Sequence, residues 1–154
     1  AWSFAPVVAL LLLLPVLRQP RAAAFGSPPH ALQRLGVLQG DPIQYWIRLL
    51  PLGWGTAAFG EELLYRGFLN SRLTQLFGTS PLAPILGGLG QAALFGIAHL
   101  YLGPTGVLNA FAIGLVSAGV YAADGRKLWP LIVAHGLVDT VGLTAIRPGL
   151  AHSS

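Results

Sequence analysis

The sequence predicts an all-α fold, a polytopic transmembrane helical bundle of about five membrane helices. Three observations carry that expectation. Of the 154 residues, 54% are hydrophobic and only 9% charged, against roughly 25% charged in soluble domains, and the mean hydropathy is +0.66. Long apolar stretches recur along the chain, separated by turn-forming residues. Strand-like alternation is nowhere sustained, which argues against a membrane β-barrel.

The first apolar run, Trp2–Leu17, carries Pro6 and Pro15 and so reads as short or kinked. No basic stretch precedes it, and Arg18 and Arg21 come after it, so a membrane helix is expected rather than a signal peptide. A polar linker rich in Pro and Gly runs from there to Pro42, with a short interfacial helix near Ala31–Leu38. Residues 1–42 therefore form one unit, an N-terminal membrane helix and its linker.

The second membrane region begins near Ile43. Pro51 and Gly53–Gly55 predict a break, after which a long helix runs to about Phe77. "GTSP" turns the chain, with Gly78 as the helix C-cap and Pro81 opening the next helix. The third, fourth and fifth segments are expected over residues 82–102, 105–123 and 128–146. Residues 43–146 make the core and residues 147–154 a short tail. Gly106, Ala110, Gly114, Ala118 and Ala122 recur every four residues on the fourth segment, as do Gly88, Ala92 and Gly96 on the third. Small-residue ladders let membrane helices approach closely, so both read as packing surfaces.

Composition excludes several functions. The net charge of +4 comes from scattered basic residues, which suit anionic lipid headgroups in a bilayer better than nucleic acid. The chain has no zinc-ribbon pattern, no basic stripe with aromatics and no phosphate-cradling Gly loop. The absence of cysteine excludes disulfides, thiolate metal sites and cysteine nucleophiles. Under the five-helix arrangement Arg18, Arg21, Arg34 and Arg147 oppose Arg66, Arg72, Arg126 and Lys127, so charge does not fix the orientation.

Chemistry is expected where ionisable groups enter apolar segments, because each costs about 2.5–3.5 kcal/mol to insert. Glu61, Glu62, His99, His135 and Asp139 are the candidates, with Arg66 nearer a boundary; His30 and His152, in a loop and the tail, read as inert. Glu62 and Arg66 stand i, i+4 in the favourable order and predict a stabilising ion pair. Glu61 points about 100° away on an α-helix and needs another partner. His99 supplies one. Glu61 lies 17 residues before Gly78 and His99 lies 18 after Pro81, so both sit roughly 25–27 Å from the turn in an antiparallel pair. Phe95 and Gln91 share the stripe of His99, marking that face as inward.

In the fifth segment "HGLVD" places His135 and Asp139 on one face. His135 reaches the depth of His99 only if the second and third helices project beyond the membrane. The amphipathic run containing Arg66, Asn70, Ser71, Arg72 and Gln75 predicts that projection. Two histidines, a free glutamate and an aspartate suit hydrolysis without a side-chain nucleophile. Ser117 has no G-x-S-x-G around it, and Asp139 is the only membrane-embedded aspartate. Activated water remains, in one of two forms: Glu61 as general base tuned by His99, or a Zn²⁺ held between helices by Glu61, His99 and His135.

"EELLYR" resembles the E-E-x-x-x-R motif of the CPBP intramembrane proteases, also called the Abi or type II CAAX-prenyl-endopeptidase family. "FGIAH", Phe95 to His99, matches the family's F-x-x-x-H motif, and "HGLVD" its H-x-x-x-[N/D] motif. All three stand in family order on separate expected helices, over about residues 55–146. The resemblance implies a multi-pass membrane peptidase, expected in the plasma membrane of a bacterium, acting on a peptide or membrane-protein substrate. Glu61 would work with His99 on water, and His135 and Asp139 would complete the site or stabilise the oxyanion. Glu62 and Arg66 would support them. An ionised Asp139 cannot stabilise an oxyanion as an asparagine amide can, which favours a metal or a His135–Asp139 pair. Tyr65 stands where phenylalanine is common in the family. The competing readings are a catalytically idle member serving as a bacteriocin-immunity or membrane scaffold protein and, third, a transporter, against which stands the lack of an internal repeat.

Overall fold

The computed structural model describes residues 42–145. The expected first helix, the linker, His30, Arg147 and His152 lie outside the described residues. The elements are α1 (Pro42–Ile47), α2 (Arg48–Leu69), α3 (Asn70–Leu76), α4 (Ala83–Ala98), α5 (Gly103–Ala123) and α6 (Trp129–Ala145), with a 3₁₀ turn at Leu100–Leu102. Among the described residues there is no strand.

α1, α2 and α3 follow one another without a break, since Ile47, Leu69 and Asn70 at the junctions all keep right-handed helical dihedrals. The expected break at Pro51 does not occur. Through α2 the backbone hydrogen bonds step five residues instead of four, and at its end the Asn70 N–H donates to Tyr65 O. In an α-helix a proline ring collides with the carbonyl four residues back; the wider winding relieves that contact. The Thr56 hydroxyl donates to the Pro51 carbonyl at 3.1 Å, closing the same turn. π-wound turns are rare and frequent at functional sites, and this one carries Glu61, Glu62 and Arg66.

α3 ends as expected at Gly78, whose φ of +69° gives the left-handed cap that glycine adopts without strain. α4 opens at Ala83 rather than at Pro81, with Pro84 in its first turn. α4 and α5 interlock through their small residues. A Cβ on Gly114 would lie 2.9 Å from Ala92 Cα, one on Gly96 3.1 Å from Phe111 Cβ, and one on Gly88 3.4 Å from the Ala118 methyl. Gly106 is used differently: its open face is filled by Leu102 of its own chain segment. α6 packs along α2, and α3 along α4.

Polar side chains are buried beside an apolar core, while many large apolar side chains face outward. The two largest fully buried side chains are Arg66 and Gln91, and Glu62 is 2% exposed, whereas Ile43, Leu76, Trp129 and Val141 are each at least 68% exposed. Polar inside and apolar outside is the arrangement lipid favours. By length and composition one helix among the described residues, Leu100–Ala123, is able to cross a membrane. The remaining apolar helices fall short for stated reasons. α4 has 16 residues and α6 has 17, about 24–26 Å against a hydrocarbon core of about 30 Å. α2 is interrupted by its own charges.

Candidate active site

α2 and α4 run antiparallel, and their register is visible in two contacts. Gly87 gives room for the backbone and hydroxyl of Thr74, and the Arg66 guanidinium lies over the Phe95 ring, 4.6 Å from its centroid. Carried one turn further, the same register brings the Glu61–Glu62 pair to the level of His99. Arg66 is fully buried and so is not the boundary charge that the five-helix arrangement expects. Its Nη1 donates to Glu62 Oε1 at 3.0 Å.

α6 inserts its polar face against this point. The Nδ1–H of His135 donates to Glu62 Oε1 at 3.0 Å, so one buried oxygen holds both Arg66 and His135. That bond leaves His135 Nε2 with its lone pair, 4.0 Å from Glu61 Oε2 and 3.8 Å from Asp139 Oδ2. Both gaps exceed direct hydrogen-bonding distance. The carboxylates differ in access: the side chain of Glu61 is 31% exposed and that of Glu62 3%.

His99 occupies a helix end. α4 stops at Ala98 rather than continuing to Leu102, and His99 takes non-helical dihedrals at the C-cap. Its Nδ1–H donates to the Phe95 carbonyl at 2.8 Å, satisfying one of the carbonyls that a helix C-terminus leaves unpaired. His99 Nε2 is thereby the open nitrogen. An aromatic row fixes the ring: Tyr65 edge-on to Phe95 (4.8 Å), Phe95 against His99 (4.6 Å), and His99 stacked on Tyr101 (5.8 Å). Glu61 and His99 interact electrostatically but form no hydrogen bond or ion pair with each other. The nearest imidazole to Glu61 is that of His135, which the depth argument brings to this level only through the projection of the second and third helices.

Two contributors, Trp54 and Tyr101, were missed by the sequence analysis, and Gln91, expected on the inward stripe of His99, takes a specific role. Trp54 Nε1–H donates to Thr140 Oγ1 at 3.1 Å, tying α2 to α6 one turn from His135 and Asp139. Tyr101 stacks on His99 and feels the charges of both Glu61 and Asp139. Gln91 Nε2 donates to the carbonyls of Gly114 (2.8 Å) and Gly88 (3.2 Å), clamping α4 to α5. Of the two missed residues only Trp54 left a signal, a tryptophan flanked by glycines.

Among the described residues no group of three or more His, Asp and Glu side chains is arranged to hold a metal ion. Glu61, His99 and His135, the expected Zn²⁺ ligands, come from three helices, and each histidine spends its Nδ1–H on a protein acceptor and keeps Nε2 open.

No curated protein sequence and no solved structure matches this chain. One family model does, described as "Type II CAAX prenyl endopeptidase Rce1-like", over residues 43–141, the stretch that contains α2, α4 and α5 and both site histidines. The chain belongs to this Rce1-like family of type II CAAX prenyl endopeptidases, a family of membrane-embedded proteases.

Proposed function

We propose that this protein is a multi-pass intramembrane endopeptidase that hydrolyses a peptide bond near the membrane surface with a water activated by Glu61 and His99. The observation carrying the proposal is that both imidazoles use Nδ1–H to anchor themselves, His99 on Phe95 O and His135 on Glu62, while Glu61 is the more accessible of the two adjacent glutamates and has His135 Nε2 4.0 Å from its Oε2. Water sits between Glu61 and His99 Nε2. Its proton passes to Glu61 as its oxygen adds to the scissile carbonyl. Collapse of the tetrahedral intermediate breaks the C–N bond, and the leaving amine takes the proton back from Glu61. His135, held by Glu62, is the group able to donate to the oxyanion when protonated. Asp139 steadies that charge across 3.8 Å and does not itself bind the oxyanion. The substrate is a peptide or membrane protein whose cleaved bond reaches a site a few turns below the surface.

The test is cleavage of a peptide library, with prenylated and unprenylated C-termini, by the purified protein in detergent. Wild type is compared with Glu61→Gln and His99→Ala, each with and without chelator. The expected result is loss of cleavage in both variants, by about 100-fold or more. Cleavage that survives both substitutions refutes the mechanism. Chelator-sensitive wild-type cleavage would restore the zinc form, and folded protein that cleaves nothing would favour an immunity or scaffold role.

A further inference from the structure

The α2–α6 interface contains a contact that general packing does not require. Gly136 presents bare backbone to the Trp54 indole: a Cβ there would lie 2.6 Å from Trp54 Cε3 and 2.7 Å from Cδ2. The indole N–H is aimed at Thr140 Oγ1, 3.1 Å away. Thr140 in turn donates to the Gly136 carbonyl at 2.7 Å, so its hydroxyl has both its donor and an acceptor site engaged and cannot rotate without losing a partner. One residue earlier, Gly53 is buried against Asp139, where a Cβ would stand 3.7 Å from Asp139 Cβ.

Gly136 and Thr140 form one stripe of α6; His135 and Asp139 form the adjacent stripe, about 100° away around the helix. Locking the first stripe sets the azimuth of the second. A rotation of α6 by about 20° would move a side-chain tip at the roughly 5–6 Å helix radius by about 2 Å. That is enough to break the 3.0 Å bond from His135 Nδ1 to Glu62. Hydrophobic packing alone does not resist such a roll, because apolar contacts are non-directional. A hydrogen-bonded indole seated on bare backbone does.

We infer that Trp54, seated on Gly136 and bonded to Thr140, is a positioning residue that fixes the rotation of α6 so that His135 and Asp139 face Glu61 and Glu62. The catalytic arm of its test rests on the peptidase reading above; the spectroscopic arm does not. The full chain in detergent is labelled with ¹⁵N-histidine, which gives four ring systems, and His135 is assigned with His135→Gln. Trp54→Phe keeps an aromatic ring, smaller than the indole, and removes the N–H. Thr140→Val removes the hydroxyl at similar volume, and Thr140→Ser retains it.

The expected result is a changed His135 Nδ1–H signal in Trp54→Phe and Thr140→Val. Their kcat falls about tenfold to 100-fold, as a misplacement of about 1 Å produces, while KM holds within about twofold. Thr140→Ser should restore both readouts. Wild-type His135 signals and kcat in folded Trp54→Phe and Thr140→Val would overturn the inference, as would equal losses in Thr140→Val and Thr140→Ser. Should wild type cleave nothing, the peptidase reading fails, and the His135 signals alone decide for or against the positioning role. If Thr140→Val does not fold, Trp54→Phe decides.

Discussion

Replacing Arg66 with methionine should be among the most damaging substitutions in this protein, and double-substitution analysis should show why. Arg66 is fully buried, its Nη1 is 3.0 Å from Glu62 Oε1, and its guanidinium covers Phe95 at 4.6 Å. Removing one partner of a buried ion pair costs about 3–5 kcal/mol, and losing a desolvated cation–π contact adds about 2 kcal/mol. Opposing this, Arg66 Nε and Nη2 are buried without hydrogen-bond partners, and their removal relieves about 1–3 kcal/mol. Glu62 also retains His135. The net expectation is a loss of about 3 kcal/mol for Arg66→Met. Glu62→Gln combined with Arg66→Met should recover part of it, giving a coupling energy above about 1 kcal/mol, whereas exposed pairs reach only about 0.2–1 kcal/mol. The assay is reversible unfolding in mixed micelles for wild type, both single variants and the double. Coupling below about 0.5 kcal/mol, or a loss below about 1 kcal/mol for Arg66→Met, would refute the view that this pair is the polar centre of the bundle.

Gly114→Leu should destabilise by about 1–3 kcal/mol through overpacking, because even a Cβ would stand 2.9 Å from Ala92 Cα; the same unfolding assay measures it. Gln91→Leu should cost only about 0.6 kcal/mol despite full burial, since interhelical hydrogen bonds in membranes average near that value and the substitution removes the unpartnered Gln91 Oε1. A loss above about 2 kcal/mol would show that the clamp on Gly114 matters more than this balance allows. Gly78→Ala should cost about 1–2 kcal/mol from the left-handed backbone alone, because no atom lies within 4 Å of its missing Cβ; a neutral effect would mean that the cap relaxes.

Along each helix the sequence was informative, because the relevant physics is local. The fourth and fifth segments were expected over residues 105–123 and 128–146, and the helices run Gly103–Ala123 and Trp129–Ala145. The Gly78 cap and the Glu62–Arg66 bond follow from turn chemistry and from i, i+4 spacing. The small-residue ladders predicted close approach, and the Ala92–Gly114 contact is of that kind. Pro51 misled, because the break it predicts presupposes α-winding, and the chain widened its turn instead. The third segment was overestimated since nothing local marks Ala98 as the end of α4; His99 ends it by bonding back to Phe95.

What the sequence determined by itself was an all-helical chain with apolar surfaces and a small set of charged residues too costly to leave in lipid without partners. Residue counts from a turn also give the height of a side chain along its helix, and they put Glu61 and His99 at one level. Only the tertiary structure decided azimuth and neighbour. It turned His99 toward its own helix end, set His135 between the two glutamates, and made Glu62 Oε1 the shared acceptor of Arg66 and His135. The physical reason is that depth depends on the rise of one helix, whereas the rotation of α6 against α2 depends on contacts between residues more than eighty positions apart, such as Trp54 with Thr140, which no local pattern records.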